Sequence, residues 1–276
     1  MRAFCLSFHA HYRCAHSGAC CTAGWPIQVE HGGMIALVPK TSDGACIHFG
    51  RDGDRLCAIQ RDHGAGRMPT ACRNFPRVTL RDSRGIFITL SHFCPTAARL
   101  LLTTGDIAIV DAPPSISLNG RSEGLDAREV MPPLLRSGML LDLDGYTAWE
   151  QLAIEVFNDW RYSARQAAEI ISAATLDASE WCPGVESLSS RVAGAFEGAR
   201  AACSVDDAVP QRAYEHPLKA FLASHVFASW AAYQDGGLNA IVKAMRRAFD
   251  LVDREYRDDE AFIETIRSAD LRLRHT

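Results

Sequence analysis

The sequence predicts an α+β fold: a small Cys-rich lobe with short β-hairpins and a metal site, followed by a mainly α-helical lobe. Three observations predict it. Eight of the ten cysteines (Cys5, Cys14, Cys20, Cys21, Cys46, Cys57, Cys72 and Cys94) fall within the first 94 of 276 residues. Turn signals between short apolar runs recur in that same stretch. From Thr147 onward the apolar residues repeat at helical spacing instead.

The first lobe covers residues 1–105. Ala45–Phe49 and Arg55–Gln60 flank a Gly50–Asp54 connection containing Asp-Gly, a hairpin signal. Arg77–Leu80 and Ile86–Leu90 flank Arg81–Gly85 as a second hairpin, with Ile86, Ile88 and Leu90 alternating against Phe87 and Thr89. Pro95 opens a short helix, because proline is tolerated in a first turn. Residues 106–145 read as a linker, with a strand at Ile107–Val110 and interruptions at Pro113-Pro114 and Pro132-Pro133. Residues 146–276 form the helical lobe. Thr147 with Glu150, and Ser163 with Gln166, are capping-box pairs. Trp149, Leu152, Ala153, Val156, Phe157 and Trp160 make an apolar stripe that reads as core. Further helices are expected near 184–202, 215–233, 237–256 and 258–274. The charged run Asp253–Glu260 reads as a solvated face.

Composition narrows the function. A hydrophobic fraction of 47% in 276 residues supports a core without disulfide staples. A net charge of -4 carries no nucleic-acid footprint, so no nucleic-acid partner is expected. No apolar run approaches the roughly 20 residues that span a bilayer, so no membrane partner is expected. The amino terminus lacks a long apolar signal region, which points to the cytoplasm.

Clustered cysteines have three uses. A disulfide framework suits small domains in oxidising compartments. Catalytic thiol chemistry seldom uses more than one or two cysteines. Several thiolates converging on a soft cation fit this pattern best. The densest segment is Cys14-Ala-His-Ser-Gly-Ala-Cys20-Cys21. Gly18 lets its backbone wrap so that sulfurs from both ends face inward. Trp25 is placed to wall off solvent, and Arg73 and Arg77 to offset thiolate charge. Cys46 and Cys57 sit near the ends of the first hairpin. Cys72 lies in a helical turn stopped by Pro76, and Cys94 at a helix start whose N–H groups favour an anionic sulfur. Cys5 is either buried or an added thiol, and Cys182 and Cys203 read as core cysteines. Each of His16, His48, His63 and His92 reads as a hydrogen-bonding or surface residue before a ligand, and His216 and His225 as structural.

These residues carry a resemblance. Cys14 through Trp25, Cys46-Ile-His-Phe, Leu56-Cys57-Ala-Ile, Cys72-Arg-Asn-Phe-Pro-Arg and Leu90-Ser-His-Phe-Cys94-Pro-Thr-Ala-Ala-Arg resemble the YkgJ-type CxxCxxCC cysteine-cluster family, described as zinc- or iron-chelating. Within it the chain is most similar to the flagellin lysine N-methylase branch, with looser similarity around His216–Tyr233 and Arg267–Asp270. The resemblance implies a metal site at Cys14, Cys20, Cys21, Cys46, Cys57, Cys72 and Cys94, holding an iron–sulfur cluster or zinc. It also implies a lysine N-methylase-like enzyme using S-adenosylmethionine, with a protein substrate such as flagellin. The alternative is a non-catalytic iron- or zinc-chelating protein, serving as a store, a sensor or a metal-stabilised binding module. Neither a Cys-x-x-x-Cys-x-x-Cys motif nor a glycine-rich strand–turn–helix is present to bind S-adenosylmethionine. Ser17 stands where the family motif has a further cysteine, so Ser17 or His16 substitutes or the site has one ligand fewer. A cubane cluster or a structural zinc needs four ligands, which leaves thiols over for a second metal or a reactive role.

Overall fold

The computed structural model describes residues 1–31, 34–50, 55–116, 124–129, 132–204, 214–258 and 261–274. It is a mixed α+β fold. Its main sheet has five strands in the order β6-β1-β5-β4-β7. Strands β4 (Arg77–Asp82) and β5 (Gly85–Leu90) form the expected antiparallel hairpin, with Arg77 opposite Leu90 and Asp82 opposite Gly85. Strand β1 (Ala3–Leu6) runs parallel to β5, and β6 (Ile109–Asp111) runs antiparallel to β1. Strand β7 (Gly124–Asp126) runs parallel to β4. The segment expected as a linker therefore supplies both edge strands. A smaller pair, β8 (Leu134–Arg136) and β9 (Met139–Leu140), follows.

Both faces of the sheet are covered, which explains why β5 is apolar on both sides. Leu6, Leu80 and Phe87 face the helices, and the Phe87 ring meets Phe227 edge-on at 5.9 Å. On the other face Cys5, Ile88 and Leu90 pack with Tyr12, Cys94, Ala97 and Ile116. Short helix α4 (Pro95–Leu100) starts at the cap Cys94 with proline in its first turn, as expected.

The helical layer holds α5 (Leu143–Asn158), α6 (Ala164–Ser179), α7 (Leu188–Ala202), α8 (Glu215–Val226), α9 (Leu238–Glu255) and α10 (Phe262–Arg274). In α9, Leu238, Ile241, Val242, Met245, Ala248, Phe249 and Val252 are buried at three- and four-residue steps. Each of these side chains except Ala248 contributes about 1.5–3 kcal/mol by leaving water. The Ser163–Gln166 capping box forms in full at the start of α6.

Three local expectations fail for physical reasons. Helix α5 starts a turn earlier than Thr147: Asp142 caps it by accepting the Gly145 N–H at 2.6 Å, and Glu150 turns inward instead of capping. Trp160 lies past the end of α5 and is exposed. Helix α8 ends at Val226 because Ala228 takes a left-handed backbone (φ 56°); a single 3₁₀ turn, Trp230–Tyr233, follows.

The cysteine-rich lobe is built from short pieces: α1 (Ala19–Thr22), the hairpin β2 (Gln28–His31) and β3 (Met34–Leu37), α2 (Ala58–His63) and α3 (Thr70–Asn74). The hairpin expected over 45–60 reduces to one antiparallel bridge between Phe49 and Cys57. After Cys57 the run Ala-Ile-Gln-Arg-Asp-His favours helix over strand, and becomes α2. The Asp-Gly turn at 51–54 lies outside the described residues, as do the last two residues of the charged run ending at Glu260.

Candidate metal site

The seven candidate cysteines come from six pieces of chain. Cys20 and Cys21 are consecutive in α1, with sulfurs 3.9 Å apart. Gly18 precedes that helix in a left-handed conformation (φ 75°), and a Cβ there would lie 2.6 Å from the Phe49 ring. Only glycine allows the close approach that turns Cys20 and Cys21 inward. Cys46 is joined to this helix by its N–H, which donates to the Cys21 carbonyl at 2.8 Å. Cys57 caps α2, Cys72 lies inside α3, and Cys94 caps α4. Cys14 lies in the loop before α1, where its sulfur accepts the His16 N–H at 3.4 Å.

Six of the seven, Cys14, Cys20, Cys21, Cys57, Cys72 and Cys94, line a single cavity of about 260 Å³. Cys46 stands behind this wall, packed in one apolar cluster with Cys20, Cys21, Cys57 and Cys72. Ser17 and His16 both line the cavity. Arg73 and Arg77 line it too. Trp25 packs on Phe75 and Phe93, with ring centroids 5.5 and 5.3 Å away. Among the described residues, no three His, Cys, Asp or Glu side chains already stand together as a ready-made metal site. The thiols instead ring an open space.

The remaining candidates lie elsewhere. Cys5 is fully buried in β1, where burial pushes its thiol up to about 12. Cys203 packs half-buried against the main core, as expected. Cys182 is exposed, contrary to the core reading, because it follows the end of α6 where the chain turns through solvent. His92 is buried with its Nε2 3.1 Å from His9 Nε2, and His63 ends α2. His216 Nε2 meets the Gly105 carbonyl at 2.8 Å, and His225 is buried 4.0 Å from Asp270, both structural settings.

The electrostatics are those of crowded thiols. The hydrogen bond from Cys21 holds Cys20 down to about 7, and the same bond, with burial, raises Cys21. Burial pushes Cys72 up to about 12, with Cys20, Cys46 and Cys57 adding to it. At Cys94 burial outweighs the N–H groups of Ala97 and Thr96, so the expected helix-start effect is present but loses. Burial, with repulsion from neighbouring thiols adding to it, holds Cys72 protonated and adds to the Cys20 bond in holding Cys21 so, and a cation among these sulfurs would oppose burial and repulsion alike.

Two residues at the site, Tyr12 and Lys40, carry no spacing signal in the sequence. Tyr12 is buried and lines the cavity, where its hydroxyl acts on the Cys94 thiol. The Lys40 ammonium nitrogen is buried without a hydrogen-bond partner among the described residues, and its charge acts on Cys20 and Cys72. Asn74, at the end of α3, buries both ends of its amide without a described partner. A buried, unpartnered ammonium is costly unless a negative group faces it. A thiolate facing it would supply that charge, and sulfur donors of this number are of the kind that suits soft cations. Compared with protein-family models, with curated proteins and with solved structures, the chain finds no match in any of the three.

Proposed function

We propose that this protein binds a thiophilic metal centre in the cysteine-lined cavity, with an iron–sulfur cluster favoured over zinc. One observation carries the reading: six cysteines from five segments of the chain line one cavity. Cysteines used only as small hydrophobes have no reason to converge in this way. Their spread around a space, rather than around a point, favours a polynuclear cluster over a single ion. Cys20, Cys21, Cys57 and Cys72 are the residues that would hold it, with Lys40 and Arg73 offsetting its negative charge. A cluster would supply electron transfer or Lewis acidity. The resemblance to flagellin lysine N-methylases extends the proposal to methyl transfer onto a lysine amine, with S-adenosylmethionine as donor.

The test is metal and acid-labile sulfide analysis, with an absorption spectrum, on protein purified without oxygen. Iron with sulfide and a reducible brown chromophore is expected. Cys72→Ser should lose most of the metal, and Cys182→Ser none. Colourless protein with stoichiometric zinc would transfer the proposal to a zinc site. Protein without metal under these conditions would overturn it.

A further inference from the structure

A second cavity, of about 250 Å³, lies against the thiol cavity and shares Cys20, Cys72, Phe75 and Arg77 with it. Its walls differ in kind: Trp25, Phe75, Trp230, Ile27 and Val78 make it apolar and largely aromatic. These walls are held in place. The Trp25 ring rests between Phe75 and Phe93, and Trp230 Nε1 donates to the Thr79 carbonyl at 3.0 Å. A pre-formed pocket of this kind binds without first paying to order its walls.

The polar lining is sparse. The Ser91 hydroxyl already donates to Asp270 at 2.7 Å. Arg77 gives its Nε to the Ile116 carbonyl at 2.8 Å and one Nη to Ser115 at 3.1 Å. A guanidinium has five N–H donors, so more remain. Among the described residues no carboxylate forms an ion pair with Arg77; the groups facing it from the thiol cavity are Tyr12, Cys14 and Cys94. The second cavity thus combines an apolar body with one cation that has no carboxylate partner among the described residues.

We propose that this cavity binds a small organic carboxylate with a single ring or short branched apolar body, its carboxylate on Arg77 and its body between Trp25, Phe75 and Trp230. The size agrees, since benzene fills a cavity of about 150 Å³. Its position puts the bound molecule against Cys20 and Cys72, two sulfurs of the metal cavity. As a ligand of that centre the proposal rests on the metal reading; as a binding pocket it does not.

The experiment is calorimetric titration of the purified, metal-analysed protein with benzoate and with its neutral isostere benzamide. Benzoate should bind saturably at one site, with benzamide about tenfold weaker or more, the worth of a charge-assisted hydrogen bond. Arg77→Gln should remove the preference, leaving both probes equally weak, and Trp230→Ala should weaken both. No saturable benzoate binding, or equal affinity for the two probes in the unaltered protein, would overturn the proposal. If Arg77→Gln does not fold, that comparison in the unaltered protein decides alone. Metal content on the same sample separates the two ideas: metal without benzoate binding sinks only the pocket, and benzoate binding without metal sinks only the metal site.

Discussion

Arg84 donates from Nη1 to Glu150 Oε2 at 3.1 Å, tying the turn between β4 and β5 to the middle of α5. Both side chains are almost wholly buried. Arg84 also holds Asp82 at 2.8 Å and lies over the Phe87 and Tyr146 rings, while Glu150 accepts the Ala228 N–H at 3.0 Å. Burial works against the arginine charge, but Glu150, Tyr146 and Asp82 outweigh it and raise its pKa. This network joins the sheet that positions Cys94 to the helical layer. Glu150→Ala leaves Arg84 buried with Asp82 alone, and should cost about 3–5 kcal/mol. Chemical denaturation measures it; a loss below about 1 kcal/mol would place the pair among weak surface bridges.

Gly18 controls the entry to α1. Gly18→Ala forces a side chain into a left-handed backbone at about 1–2 kcal/mol, and sets its Cβ against the Phe49 ring. The expected result is a lower melting temperature together with poorer metal retention, since Cys20 and Cys21 follow directly. Unchanged metal content would show that the approach of this helix to Phe49 does not govern the site.

Asp270 in α10 reaches back to the segment before Cys94, accepting the Ser91 hydroxyl at 2.7 Å and the Phe93 N–H at 3.1 Å. Arg267 adds a bond to the Phe93 carbonyl at 3.0 Å. Asp270→Ala removes a shared buried acceptor and should cost about 1–3 kcal/mol. Hydrogen exchange should quicken at Phe93 first, with Cys94 becoming easier to alkylate. Protection unchanged at Phe93 would rule out the clamp.

The thiols should titrate unevenly once metal is removed. Cys20 is held at about 7 by the bond from Cys21, so its thiolate dominates above that pH. Alkylation of Cys20 in reduced, stripped protein should rise with pH and reach half its plateau near pH 7. Cys72, pushed up to about 12, should stay slow across the neutral range. Peptide mapping by mass spectrometry reads both, and equal rates would contradict the crowding described for this cluster.

Much of the candidate site is legible along the chain because its signals are local. A Cys-Cys pair after a glycine, a cysteine before Pro95 and Cys72 in a short helical turn can be read without the fold, and together with Cys14 and Cys57 they line one cavity. The β4–β5 hairpin and the helices of the second half follow from alternation and helical spacing, which neighbouring residues impose on each other. Tertiary structure decided what depends on distant partners. Glu150 looks like a capping residue until Arg84, 66 positions away, draws it inward. Lys40 carries no signal along the chain, and only the fold buries its nitrogen where its charge acts on Cys20 and Cys72. The parallel pairing of β1 with β5, and the closing of Trp25 and Trp230 around the second cavity, also join segments far apart in sequence. Periodicity and spacing report only near neighbours, whereas burial and charge pairing are properties of the packed chain.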